Sequence, residues 1–151
     1  MDTQERMARL YNKDTKAGYA NLLEMEDISR RSDVFYPCLN EFIAMLQSES
    51  YVVRVRGFRL LCLQAQWDTK NKHIDENTGA ILAALQDNKP TAVRQMLMYL
   101  GFLAPYKPQL RGEIQDAMAR IDLSKLKDTM APLIGKDMEK LNKILDGLED
   151  M

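Results

Sequence analysis

The stretch beginning at Phe42, "FIAMLQSES", returns in altered form as "ILAALQDNK" 39 residues later. Ala44, Leu46 and Gln47 fall on Ala83, Leu85 and Gln86, and Leu61 and Ala65 fall on Leu100 and Ala104. Phe42 and Ile43 become Ile81 and Leu82, which keeps the positions apolar. Self-similarity at a period near 40 residues narrows the possible architectures sharply. A single helix–turn–helix unit cannot bury its own apolar face, so such units stack and share one continuous core. The clearest copies are 34–66 and 75–104, and the 151 residues suit one domain spanning 1–151, with degenerate capping helices at both ends.

Helical periodicity runs through the rest of the chain. Leu110, Ile114, Ala117 and Ile121 make one stripe, and Ile134, Met138, Leu141, Leu145 and Leu148 make another. Leu39, Phe42, Ile43 and Leu46 form a third, and Val93, Met96, Leu97 and Leu100 a fourth. Steps of three and four return side chains to one helix face. The only alternation is "YVVRVRG", and its continuation "FRLLCLQAQ" restores the helical pattern at a length beyond a typical strand. The spacing predicts helices over 3–12, 14–31, 34–47, 50–66, 75–87, 91–104, 108–121 and 130–149, with a turn or short helix at 122–129. Asp14 or Thr15, Ser32 or Asp33, and Asp75 are the expected caps, and Pro90 and Pro108 suit first helical turns.

The turn "LQDNKPTAVRQ" resembles the HEAT repeat, in which an Asp after the first helix precedes a Val-Arg in the second; here these are Asp87, Val93 and Arg94. The earlier copy offers Glu49 with Val53-Arg54, or Val55-Arg56 with one residue inserted. The resemblance covers about 42–104 and implies an all-α, right-handed α-α superhelix, a short α-solenoid of about three to four helical hairpins. It also implies that the second helix of each pair lines a concave groove. The whole chain resembles a group of small bacterial HEAT-like proteins, some of them linked by similarity to iron–sulfur cluster assembly. Cluster-ligand spacing such as Cys-x-x-Cys is missing here.

Charge is segregated although the net value is −1. Residues 50–66 hold Arg54, Arg56 and Arg59, and residues 89–111 hold Lys89, Arg94, Lys107 and Arg111, with no acid in either stretch. Nine acids lie between 112 and 151. Arg56 and Arg59 share a helix face, and the 39-residue shift places them on Gln95 and Met98. Two readings compete. In one, Arg56, Arg59, Gln95, Met98, Tyr99 and Lys107 form a mildly basic groove for an acidic peptide or phosphate-bearing ligand. In the other, the arginines make ladder-like salt bridges and cover apolar surface with their stems. The second reading is favoured for Arg54 and Arg94, and the two stand level for Arg56 and Arg59.

Catalytic patterns are absent from the sequence. His73 is the only histidine and sits in the polar stretch "DTKNKHIDEN", without a nucleophile elbow, phosphate-binding loop or His-Glu-x-x-His. Cys38 and Cys62 read as small buried thiols, with no disulfide, metal site or cofactor expected. Trp67 is expected to close the core at a repeat junction, with a ligand-stacking role as the alternative. The N-terminus lacks an apolar signal core, and no apolar run nears the roughly 20 residues of a membrane span. A cytoplasmic, non-enzymatic scaffold binding a protein or acidic peptide is the leading expectation. Nucleic-acid binding or HEAT-like base repair is the alternative, and an accessory role in iron–sulfur cluster assembly a third.

Overall fold

The computed structural model describes residues 1–148, Thr15 through its backbone only. Among the described residues the chain is all-helical, with nine α-helices and no strand. They are α1 (Thr3–Arg9), α2 (Thr15–Arg31), α3 (Leu39–Ala44), α4 (Tyr51–Leu63), α5 (His73–Glu76), α6 (Thr78–Ala83), α7 (Pro90–Leu103), α8 (Arg111–Ala119) and α9 (Ala131–Leu148). Residue 149, the expected end of the last helix, lies outside the described residues. The turn expected at 122–129 contains a 3₁₀ turn, Leu123–Lys125.

Local chemistry explains where helices begin. Asp2 accepts from the Glu5 amide and Asp14 from the Lys16 amide, so free donors at the starts of α1 and α2 are satisfied. Pro90 opens α7, where a missing N–H costs nothing. The helix expected over 75–87 is instead broken at Asn77. Asn77 Nδ2 donates to the His73 carbonyl at 2.7 Å, and the Thr78 hydroxyl lies 3.0 Å from the Ile74 carbonyl and 2.8 Å from that of Asp75. These side chains compete with the helical ladder. Asp75 is not the cap there. Asp68 takes that role, accepting from the His73 and Ile74 amides at 3.0 and 2.9 Å.

The sequence repeat has a structural counterpart. Helices α3 and α6 each run into a 3₁₀ turn, Met45–Gln47 and Ala84–Gln86. Beyond α4 and α7 come Ala65–Trp67 and Ala104–Tyr106, again 39 positions apart.

Packing puts α2 against α4, α4 against α7, and α7 against α9, while α3 backs α4 and α6 contacts α8. The core between them is continuous, with Phe42, Phe58, Leu60, Leu61, Leu85, Met96, Leu100 and Ile134 almost wholly buried. Gly57 permits the closest approach. A Cβ there would lie 2.7 Å from both Met45 Cβ and the Phe42 carbonyl oxygen, so any side chain would push α4 off α3. No helix among the described residues is long and apolar enough to cross a membrane.

Candidate binding face

Helices α2, α4, α7 and α9 pack in that order, and residues of all four line the hollows between them. Helix α2 supplies Tyr19 and Arg30, α4 Val52 and the buried Val55, α7 Gln95, Met98 and Phe102, and α9 Lys140 and Ile144. Tyr19, Leu23, Met98, Phe102 and Ile144 are exposed, Met98 to 62%. Three hollows connect these helices. One of about 300 Å³ lies among Tyr19, Leu22, Tyr51, Val52, Val55, Arg56, Arg59 and Gln95. Another of about 410 Å³ is lined by Arg30, Leu63, Gln66, Phe102 and Tyr106. A third of about 240 Å³ runs between Met98 and Phe102 on α7 and Lys140 and Ile144 on α9.

Beneath this surface the expected groove cations are largely engaged inside the protein. Arg59 donates from Nε and Nη2 to the Glu26 carboxylate at 2.8 and 2.7 Å, and from Nη1 to Gln95 Oε1 at 2.9 Å. Its guanidinium carbon also lies 4.7 Å from the Tyr99 ring centre and 5.7 Å from that of Tyr19. Burial alone depresses its pKa, but the Glu26 hydrogen bonds and charge outweigh that and raise it. Tyr99 is buried, and its phenol is pushed up to about 12 by burial and by Glu26. For Arg59 the free-charge reading therefore gives way to the paired one.

The ladder arginines span neighbouring hairpins. Arg54 reaches Asp87 in a bidentate pair at 2.8 and 3.1 Å, and Arg94 reaches Asp137 at 2.7 and 3.4 Å. Asp87 also accepts from the Lys89 amide at 2.9 Å, fixing the turn into α7. Val93 is a core residue.

Lys107 is buried and paired with two carboxylates. It is 3% exposed, and its Nζ lies 2.6 Å from an Asp75 oxygen, 3.1 Å from Asp68 Oδ2 and 2.7 Å from the Asp68 carbonyl. Burial raises the Asp68 pKa, but hydrogen bonds from Tyr36, the Ile74 amide and Lys107 bring it below the ordinary carboxylate value. A cation held this way staples the 68–75 loop to the segment after α7. Trp67 has a similar anchoring part, its indole N–H donating to the Ser29 carbonyl at 2.9 Å.

Arg56 differs from the others. It is 3% exposed, yet Nη1 donates to main-chain oxygens, those of Leu10, at 2.9 Å, and Asn12. Burial lowers its pKa. Gly18 makes this possible, since a Cβ there would sit 2.7 Å from Nη2.

Sequence reasoning missed Tyr19, Glu26, Tyr51 and Ile144 as contributors. Glu26 carried a legible signal: it stands beside Leu22, Met25 and Ser29 on the buried side of α2, where an acid requires a partner. Cys62 is buried and Cys38 half-buried, and among the described residues no three His, Cys, Asp or Glu side chains gather in a metal-binding arrangement. No protein-family model, curated protein or solved structure matches this chain.

Proposed function

We propose that the chain is a non-enzymatic scaffold of HEAT-like type, its hairpins coiled as a short right-handed α-solenoid, and that the α2–α4–α7–α9 side holds a segment of another protein. The observation carrying this is that the exposed apolar and aromatic residues Tyr19, Met98, Phe102 and Ile144 line the hollows between these helices, where Arg59 and Arg94 are already paired with carboxylates. Contiguous exposed apolar surface marks interaction sites, and methionine adapts to varied partners. Aromatic anchors supply much of the binding energy at protein interfaces. The solenoid reading is supported by the paired 3₁₀ turns and by the Arg54–Asp87 and Arg94–Asp137 pairs joining successive hairpins.

The recognition is mainly apolar, with Arg30 and Lys140 as cations beside the hollows. An amphipathic segment carrying acids beside its apolar residues suits that pattern. Duplex nucleic acid demands more phosphate contacts, commonly about 6–10 for high affinity, and Arg54, Arg59, Arg94 and Lys107 are already held by carboxylates. The protein-binding reading is preferred for that reason.

The test is site-specific photocrosslinking from position 98 in cells, repeated with Phe102→Asp. A discrete adduct that disappears in the variant, at unchanged melting temperature, is the expected result. An adduct of equal intensity in the variant, or no adduct from position 98, overturns the reading.

A further inference from the structure

We propose that the hollow between α2, α4 and α7 is an anion site, in which Arg56 receives a carboxylate or phosphate oxygen group. The inference rests on the scaffold reading only for the source of that group, the segment bound along the face. The hollow is about 300 Å³ and combines an apolar floor of Leu22, Val52 and Val55 with polar groups from Arg56, Arg59 and Gln95. That space accommodates a carboxylate or a phosphate together with part of the side chain that bears it. Tyr19 and Tyr51 stand half-exposed at its walls.

The second observation is the state of Arg56 itself. Among the described residues no carboxylate lies within ion-pair distance of it, and Nη1 alone makes hydrogen bonds, both to main-chain carbonyls. The residue as a whole is only 3% exposed. A buried cation without a counter-charge is costly, and protein interiors rarely leave one so. The acid of the same hollow's Arg59 is committed to that arginine. Glu26 meets Arg59 in two hydrogen bonds of 2.8 and 2.7 Å. A further cation, Lys89, stands 5.5 Å from the Tyr51 ring centre. The local field therefore favours an incoming anion, and a guanidinium edge suits bidentate oxygen groups.

The test uses the full chain and small anions as probes. Urea midpoints are measured in chloride, acetate and phosphate at constant ionic strength, for the wild type and for Val52→Glu. The substitution lies one turn before Arg56 on α4 and supplies an internal carboxylate. An anion at ten times its Kd shifts the folding equilibrium about elevenfold. A saturable rise with acetate assigns a carboxylate, and a rise with phosphate alone assigns a phosphate. In either case Val52→Glu should be more stable than wild type in chloride and insensitive to the anion. Equal midpoints in all three salts, or a rise that persists undiminished in the variant, overturns the proposal, the latter pointing to general salt exclusion. Should the variant fail to fold, the Nε–H resonance of Arg56 in the wild type decides. It must move saturably with acetate or phosphate, and a static resonance overturns the site. A failed anion test beside an intact crosslink from position 98 removes this inference and leaves the scaffold reading in place.

Discussion

Arg59 and Glu26, 33 residues apart in the chain, meet in two parallel hydrogen bonds of 2.8 and 2.7 Å with both side chains nearly excluded from water. This contact fixes α2 against α4 and removes a unit of positive charge from the face above it.

Breaking that pair should be expensive, because the surviving partner is left as an uncompensated buried charge. Glu26→Ala and Arg59→Ala are each expected to cost about 3–5 kcal/mol, and the double variant less than their sum. Urea denaturation of the four proteins gives the coupling energy. Additive losses would mean that the two groups stabilise the fold independently.

Two glycines should respond in opposite directions. Gly57→Ala forces a methyl group into Met45 and the Phe42 carbonyl, and overpacking of this kind costs about 1–3 kcal/mol. Gly135 lies inside α9 with nothing within 4 Å of an added Cβ. Gly135→Ala should therefore stabilise by about 0.5–1 kcal/mol through helix propensity. Thermal melts of both variants check the pair of signs.

Acid should weaken the protein through Asp68. Its folded pKa lies below the ordinary carboxylate value, so the unfolded chain binds protons more readily. The stabilisation is complete above the unfolded pKa of about 3.9 and is lost as pH falls through the folded value. Asp68→Asn should lower stability at neutral pH and flatten the acid limb. Unfolding midpoints collected from pH 6 to pH 2 would show an unchanged limb if Asp68 had no part in it.

The alkaline limb has the opposite sign. Burial first, and then the 2.6 Å hydrogen bond to Asp68, push the Tyr36 phenol up to about 12. Its contribution is complete below the unfolded pKa of about 10 and is lost as pH rises from there through about 12. Tyr99, also raised to about 12, acts in the same window. Replacing both with Phe should reduce the loss of stability between those limits, followed as a urea midpoint against pH.

The helices were legible because their signals are local. Apolar residues three and four apart, Asp14 at a cap and Pro90 at a first turn each report on their own neighbourhood. The pairing of Arg94 with an acid of the next hairpin was also foreseeable, and Asp137 fills that part. Burial of the groove cations was harder to foresee. Arg59 finds Glu26 across 33 residues and Lys107 finds Asp75 across 32, and nothing near either cation in the chain announces its partner. The break at Asn77 was hidden for a different reason. Both flanking segments keep helical periodicity, and the competing hydrogen bonds come from two adjacent side chains, Asn77 and Thr78.

Arg56 is anchored through Nη1 on the oxygens of Leu10 and Asn12, atoms that every amino acid possesses. What it demands of that bend is therefore a path through space, while the side chains along it are free to change. Exchange of residue types at positions 10 to 12 leaves this attachment intact, whereas inserting or deleting one residue there moves the oxygens away and sets the first hairpin adrift from the rest.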